Sequence, residues 1–320
     1  MSAAPRLSIG LPVYNAEEKL TETLEALLGQ SYADFELIIS DNASTDSTAD
    51  ICHSYGKQDS RIRYIRQPRN IGRVPNHNFL VGQARGDLFK WVAGDDLYAR
   101  ELLERCVAVL DENPHIVLAH AWEGVIDESG AVISLVEYPV RSDAPRAPDR
   151  FRSMLFDGWG DDSYGIVRTE VLRRTPLHGS YHLADRTFTT ELALYGPFHQ
   201  VPDWLYFRRD APVMTSTIRE RCAYMDPDRE NRWRYPVARL YGEYAWAYIA
   251  MIRRAPLSSA ERQECYGHLA RWAAGRALPV AHRVLTRTKM GNRPPADAKP
   301  ADLPAISIAA LVAGQEGKAP

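Results

Sequence analysis

The first strand, helix and strand of this chain decide its fold. Residues 7–48 read LSIGLPVYNAEEKLTETLEALLGQSYADFELIISDNASTDST. The apolar run 7–14 predicts a buried strand, and residues 17–30 predict an amphipathic helix because their leucines recur at helical spacing. A second apolar run, FELIIS at 35–40, predicts another buried strand. This order predicts two parallel strands joined by a right-handed crossover helix.

The same alternation continues beyond this unit. IRYI at 62–65 and LFKWV at 88–92 predict strands, with helices after Val74 and over residues 100–113. Repeated alternation of strand and helix predicts an α/β fold with a mostly parallel sheet flanked by helices. Residues 226–289 predict a helical C-terminal extension.

Composition excludes several classes of protein. The chain has 39 basic and 41 acidic residues, a net charge of -2, and 45% hydrophobic residues, which is average for globular proteins and unlike disordered, collagenous or coiled-coil chains. Its longest uncharged apolar stretches, 244–252 and 306–314, have nine residues each, whereas a membrane span needs about 20. We therefore expect no membrane span and, without a long apolar signal core, a cytoplasmic location.

The C-terminal part of the chain is basic. Residues 226–293 contain 13 Lys or Arg and 6 Asp or Glu, a local charge of +7. Nucleic-acid binding would need a basic stripe with base-stacking aromatics, but Trp246 and Trp272 fall at helical spacing among Ala and Leu. Core packing is therefore predicted for these aromatics, and nucleic acid is not expected as a partner. Peripheral contact of the basic helices with an anionic membrane stays open.

Polar side chains follow three of the predicted strands where the strands end. Ligands of open parallel sheets bind beyond the carboxyl ends of the strands. The candidates are Tyr14 and Asn15, Asp41 and Asn42, and Asp95 and Asp96. Adjacent carboxylates repel unless a divalent cation, such as Mg²⁺ or Mn²⁺, lies between them and a phosphate. The pattern predicts a metal and diphosphate site, although Asp95 could instead cap the next helix and Asp96 be solvated.

Other phosphate-binding and catalytic motifs are absent from the sequence. It contains no G-x-x-x-x-G-K-[ST], and no G-x-G-x-x-G follows the first strand. Ser163 lacks the leading Gly of a nucleophile elbow. These absences disfavour P-loop enzymes, dinucleotide-binding proteins and serine hydrolases.

Residues 7–48 and NIGRVPNHNFLVGQARGDLFKWVAGDD at 70–96 together resemble family 2 glycosyltransferases with the GT-A fold. The resemblance continues more weakly to about Arg209. It implies transfer of a sugar from a UDP-, dTDP- or GDP-linked donor to a hydroxyl of a saccharide, lipid-linked or small-molecule acceptor. It also implies inversion of the anomeric carbon, a divalent metal and a place in polysaccharide or glycoconjugate biosynthesis.

The same resemblance assigns donor-binding residues. Pro12 and Tyr14 would border the nucleobase, and Asp41 would accept a hydrogen bond from it. Asp95 would face the ribose or donor sugar, and Arg73 would approach the base or the phosphates.

Asp96 would be the metal ligand. The family often has a further Asp two positions before Asp95, where this chain has Ala93, so strict dependence on a metal is not implied.

Residues later in the chain would act on the acceptor. Inversion needs a base that takes the proton of the attacking hydroxyl, and the resemblance implies Asp185, with His182 in reserve. Capping of the following helix is the plainer role for Asp185. Arg209 would neutralise the pyrophosphate. Aromatic and acidic residues of one short segment would contact the acceptor: Trp159, Asp161, Asp162 and Tyr164.

These assignments divide the chain into four parts. Residues 1–115 would bind the nucleotide sugar, 116–225 would bind the acceptor and complete the same domain, 226–290 would form the helical extension, and 291–320 would be a loose tail.

Two alternative functions stay open. They are a sugar-nucleotide-binding protein without turnover and, less favoured, a sugar-phosphate nucleotidylyltransferase. Assembly as a homo-oligomer is compatible with each of them.

Overall fold

The protein forms one mixed sheet covered by helices. The computed structural model describes residues 4–138, 141–157, 162–181, 183–210, 224–230, 236–286 and 308–313. The strands are β1 Leu7–Val13, β2 Phe35–Asp41, β3 Ile62–Arg66, β4 Leu88–Trp91, β5 Leu97–Tyr98, β6 Leu118–Ile126, β7 Val132–Val136, β8 Ile166–Arg168 and β9 Phe198–Arg209. They join in the order β3-β2-β1-β4-β8-β6-β9-β5, and β7 pairs with β6.

Helices follow most of these strands. They are α1 Leu20–Leu28, α2 Thr48–Gln58, α3 Arg73–Gln83, α4 Leu102–Glu112, α5 Ala147–Phe156, α6 Thr169–Leu172, α7 Ala184–Tyr195, α8 Pro227–Glu230, α9 Pro236–Arg254, α10 Ser259–Thr286 and α11 Ile308–Ala313. A short 3₁₀ helix covers Asp162–Tyr164. Every strand and helix predicted between residues 7 and 113 is present, within two or three residues of its predicted ends.

Most strands of the sheet run in one direction. β3, β2, β1 and β4 are all parallel, as the alternation of strand and helix requires, and β6 and β9 are parallel to each other. The antiparallel strands are β8, between β4 and β6, β5 beside β9, and β7 beside β6. The prediction of an α/β fold with a mostly parallel sheet is therefore confirmed.

The alternation of side chains along the strands builds a core on each face of the sheet. Leu7, Ile9 and Leu11 of β1 pack with α1, α2 and α4, while Phe89 and Trp91 of β4 pack with α3, α6 and α7 on the opposite face. β1 approaches this second layer closely, since a Cβ on Gly10 would lie 2.6 Å from the Phe89 ring.

The C-terminal helices extend the second layer. Tyr248 of α9 and Trp272 of α10 are buried with Phe151 of α5 and Leu194 of α7. Trp246, expected in the core, is instead 56% exposed, because it lies on the face of α9 away from α7. Within the described ranges, no helix is both long and apolar enough to cross a membrane.

Candidate active site

The loops after β1 and β2 form one wall at the carboxyl edge of the sheet. The Asn15 amide donates to the Ser44 hydroxyl at 3.0 Å, and the Thr45 amide donates to the Asn15 side chain at 2.9 Å. Asn15 and Ala43 both have positive φ, 49° and 62°. A left-handed backbone is unfavourable for alanine and persists when the surroundings impose it, as often happens at functional sites.

Asp41 ends β2 inside this wall. Its Oδ1 accepts the Ser44 amide at 2.8 Å, and its Oδ2 accepts the Tyr64 hydroxyl and an Arg66 N–H, each at 2.6 Å. Burial alone would raise the pKa of Asp41, but the hydrogen bonds from Ser44 and Tyr64 and the charge of Arg66 lower that pKa below its ordinary value. Asp41 is thus an ionised carboxylate with no exposed surface.

Asn42 connects the wall to the start of α3. Its side chain donates to Asn70 at 2.9 Å and accepts the Ile71 amide at 2.8 Å. Gly72 follows with φ 93°, and α3 begins at Arg73. The turn therefore places Arg73 beside the carboxyl ends of β1 and β2.

Asp95 and Asp96 occupy contrasting environments after β4. The Asp95 side chain is exposed. Asp96 is 3% exposed, and its carboxylate accepts the Tyr206 hydroxyl at 2.6 Å and the Arg209 amide at 2.9 Å. Each Asp96 oxygen accepts one protein donor and keeps a further lone-pair position, so the assignment of the metal to Asp96 stays a prediction. Asp95 is the more accessible carboxylate of the pair.

Arg209 is buried against the loop that carries Asp95. Its guanidinium donates to the backbone carbonyls of Asp95 at 2.9 Å, Asp127 at 3.0 Å and Glu128 at 2.9 Å, and to the Glu22 carboxylate at 3.0 Å. These bonds hold the loop of Asp95 in place, and the side chain is 7% exposed. Contact of Arg209 with a pyrophosphate stays a prediction.

Arg73 lies near Tyr164 and Asp185, which belong to the later half of the sheet. The pKa of Arg73 is raised above its ordinary value by the neighbouring Tyr164 first, and by Tyr224 and Asp185 after it. Arg73 and Asp185 are exposed and Tyr164 is half-buried, so all three are accessible at least in part.

Asp185 lies in the first turn of α7. Leu183, with a left-handed backbone, is the N-cap residue of that helix, so the capping role considered for Asp185 is wrong. Asp185 still accepts the Arg186 amide at 2.9 Å.

Several predicted residues cannot be placed. Trp159, Asp161 and His182 lie outside the described residues, and so does the Asp162 side chain. Pro12, within β1, and Tyr14, 45% exposed just beyond it, lie at the same edge as Asp41.

Sequence reasoning missed Lys90, which is buried in the middle of β4. Its ammonium donates to the Tyr164 carbonyl and lies 5.6 Å from the ring centroids of both Tyr98 and Tyr206. Burial lowers the pKa of Lys90 to about 8. A lone Lys inside the apolar run LFKWV was the signal that could have revealed it.

The acidic side chains of this site can be compared with the ligands that a metal ion needs. In the parts of the chain that the structure describes, no three His, Cys, Asp or Glu side chains are grouped to hold an ion. Asp95 fits a Mg²⁺ or Mn²⁺ site in which one protein carboxylate is joined by substrate phosphates and water, as is usual for Mg²⁺.

Comparison with known proteins shows related sequences and a shared fold. Residues 8–160 match the family model described as Glycosyl transferase family 2. The chain is 36% identical over 131 residues to the putative glycosyltransferase EpsE of Bacillus subtilis, an alignment that covers 41% of this chain and 47% of EpsE.

Two solved structures share the fold. S. aureus TarS 1–349 in complex with UDP-GlcNAc superposes with a TM-score of 0.60 at 21% identity, over 82% of this chain and 71% of TarS 1–349. The mannosyltransferase PcManGT from Pyrobaculum calidifontis, in complex with GDP-Man and Mn²⁺, gives a TM-score of 0.50 at 18% identity, over 90% of this chain and 82% of PcManGT.

The chain therefore carries a family 2 glycosyltransferase domain, and its sheet has the GT-A fold. It spans about half the length of the first curated relatives that it matches.

Proposed function

We propose that the protein transfers a sugar from a nucleoside-diphosphate donor to an acceptor hydroxyl, with inversion. The observation that carries this proposal is that two hydrogen bonds between the Asn78 side chain and the His178 backbone, at 2.8 and 3.1 Å, join α3 to the segment before α7, so that Arg73 lies near Tyr164 and Asp185. Arg73 belongs to the donor half of the sheet and Asp185 to the later half, so a donor and an acceptor bound at this edge would share one cleft. UDP-GlcNAc and GDP-Man, bound by the two structural neighbours, support this class of donor.

Asp95 is the residue that we propose for the metal. Its exposed carboxylate ends the loop after β4, and Arg209 fixes that loop through the Asp95 carbonyl. A bound Mg²⁺ or Mn²⁺ would supply Lewis-acid stabilisation of the charge that develops on the departing diphosphate. The Mn²⁺ in PcManGT supports a divalent ion.

Asp185 is the residue that we propose as general base. Its carboxylate is exposed on the cleft side of α7 beside Arg73. It would accept the proton of the acceptor hydroxyl as that oxygen attacks the anomeric carbon opposite the leaving diphosphate. Tyr164 would border the acceptor, because it is the half-buried aromatic residue of this cleft.

We extend the proposal to a contact between the C-terminal helices and a membrane. Trp246 is exposed on α9, and the Arg253 guanidinium lies 5.4 Å from its ring centroid. An exposed aromatic residue beside a cation suits the headgroup region of an anionic membrane. We therefore include peripheral contact with a membrane, on its cytoplasmic side, and it would be measured by co-sedimentation with anionic vesicles.

Two carboxamide variants test the active site. With a panel of UDP-, dTDP- and GDP-sugars and Mn²⁺, Asp95→Asn should abolish stimulation by the metal. Asp185→Asn should bind the donor normally but lose about 10²- to 10⁴-fold in kcat, the usual contribution of a general base. Transfer and donor hydrolysis would be measured side by side by release of the nucleoside diphosphate.

Asp87→Asn is the matched control. Asp87 precedes β4 at the opposite edge of the sheet, and its side chain is 83% exposed. Full transfer activity in Asp95→Asn and Asp185→Asn would sink the proposed site. Donor binding without transfer or hydrolysis in the unaltered protein would favour the alternative of a sugar-nucleotide-binding protein. Formation of a nucleotide sugar from a sugar phosphate would favour a nucleotidylyltransferase.

A further inference from the structure

Arg66 is held in a fixed orientation at the end of β3. It is the last residue of that strand and pairs in register with Asp41 of β2. One terminal nitrogen donates to Asp41 Oδ2 at 2.6 Å, and the other donates to the Ser44 carbonyl at 2.7 Å. Two bonds from one planar guanidinium fix its plane as well as its position.

The outer part of this guanidinium remains open to a ligand. Arginine carries five N–H donors. Asp41 and Ser44 take two of them, and the Tyr64 hydroxyl is the further hydrogen-bonding neighbour. The Arg66 side chain is 45% exposed, so N–H groups remain for a molecule lying at the edge of the sheet.

Asp41 cannot offer the same contact. Its side chain has no exposed surface, and Ser44, Tyr64 and Arg66 surround both of its oxygens. A carboxylate has about four lone-pair positions, and Ser44 uses its hydroxyl as well as its amide. A ligand approaching the ends of β2 and β3 would therefore meet Arg66 before Asp41.

The strand order places Arg66 at the nucleoside end of the site. From β3 to β4 the order is β3-β2-β1-β4, and neighbouring strands lie about 4.8 Å apart. Arg66 is thus three strand spacings, roughly 14 Å, from the strand that leads to Asp95. With the diphosphate at Asp95, a nucleoside directed along this edge would bring its base towards Arg66.

We propose that Arg66 contacts the nucleobase of the donor, donating to a base carbonyl, and that Asp41 acts as the residue that positions Arg66. This proposal rests on the function proposed above and narrows its substrate class. The N–H donors of Arg66 favour a base with keto oxygens on its edge, which uracil, thymine and guanine have and adenine lacks. The expected donors are therefore UDP-, dTDP- or GDP-sugars, and ADP-sugars are disfavoured.

Binding of nucleotides without their sugars tests Arg66 directly. Calorimetry with Mn²⁺ would compare UDP, GDP, dTDP, ADP and inorganic pyrophosphate. In the unaltered protein a keto-base nucleotide should bind at least about tenfold more tightly than ADP, as one charge-assisted hydrogen bond can provide. Arg66→Met should remove most of this preference and leave pyrophosphate binding unchanged.

Further variants separate base contact from a structural role. Asp41→Asn should weaken the same nucleotides, and the double variant with Arg66→Met should be no worse than Arg66→Met alone, since both act through one contact. Arg66→Lys should not restore the preference, because an ammonium lacks the planar fork. Arg174→Met is the control, since Arg174 is 60% exposed beyond α6, at the opposite edge of the sheet.

These binding measurements decide whether Arg66 contacts the nucleobase. Equal binding of ADP and of the best-bound keto-base nucleotide by the unaltered protein would overturn the proposal, as would parallel losses for that nucleotide and pyrophosphate in Arg66→Met. If Arg66→Met lowers the melting temperature strongly, Arg66→Leu, which also lacks a donor, replaces it under the same criteria. An absent transfer reaction combined with the expected binding pattern would refute the proposed function and leave the base contact standing.

Discussion

Asp95 and Asp96 are adjacent in the chain but have opposite exposure. The backbone turns between β4 and β5, so one carboxylate faces the edge of the sheet and the other enters the space beneath β9. There the hydroxyl of Tyr206 and the amide of Arg209 satisfy Asp96. The buried member of the pair is therefore held in a fixed position, and the exposed member is accessible to a ligand.

This difference predicts that two similar substitutions change the free energy of unfolding by different amounts. Asp96→Asn replaces an acceptor of two hydrogen bonds and should lower the free energy of unfolding by about 1 to 3 kcal/mol. Asp95→Asn should change it by less than about 0.5 kcal/mol, as is usual for exposed positions. Urea denaturation of both variants measures the effects. A stable Asp96→Asn and a destabilised Asp95→Asn would reverse the assignment of roles.

Strand β4 is the element that connects the two halves of the site. It pairs with β1 in the donor half and with β8 in the later half. Lys90 lies at its centre and binds the carbonyl of Tyr164, while the loop at its end carries Asp95. An ammonium buried at this position costs stability, because it loses its hydration.

The lowered pKa of Lys90 makes stability depend on alkaline pH. In the folded protein the pKa is about 8, below the ordinary value of 10.5, so between these values the unfolded chain binds more protons and stability rises with pH. Two and a half pKa units correspond to about 3 kcal/mol. Relative to Lys90→Met, the unaltered protein should gain about that much between pH 7 and pH 10.5. A constant difference in urea denaturation across this range would contradict the prediction.

At the scale of the whole molecule, the C-terminal helices are part of the packed body. α9 packs on α7, and α10 packs on α5, which adds a third apolar cluster beside the second layer of the core. An ion pair joins α9 to α7, since the Arg254 guanidinium donates to both oxygens of Glu191 at 2.7 and 3.1 Å. Burial raises the pKa of Glu191, and the bonds from Arg254 oppose that rise.

Replacing Arg254 should lower the stability of the folded protein. Arg254→Met leaves Glu191, whose side chain is 5% exposed, without its partner, and should cost about 2 to 3 kcal/mol, towards the lower end for a broken buried pair because Arg254 is itself a third exposed. Thermal unfolding would measure the loss, and Glu191→Gln in the same protein should recover part of it.

Arg253→Met, an exposed neighbour on α9, is the control and should change stability by less than about 0.5 kcal/mol. An Arg254→Met protein of unchanged stability would show that the helices are held by their apolar contacts alone.

The division of the chain at residues 115 and 225 stays a prediction.

Local patterns in the sequence determined the α/β class and the donor half of the sheet. The apolar runs and helical leucine spacing of residues 7–113 act over a few residues, so strands, helices and the parallel order of β1 to β4 could be read directly. The strand ends indicated Asp41 and Asp95 as places to look, and the motif order indicated the family, whose resemblance implied Asp185.

Only the tertiary structure decided which polar groups are free. Asp41, Asp96 and Arg209 have the residue types that bind ligands, yet partners distant in the chain, such as Tyr206 for Asp96 and Glu22 for Arg209, engage them. The antiparallel strands β5, β7 and β8 and the burial of Lys90 likewise arise from long-range pairing. Hydrogen-bond saturation and burial depend on neighbours that the fold brings together, and no local pattern of residues encodes them.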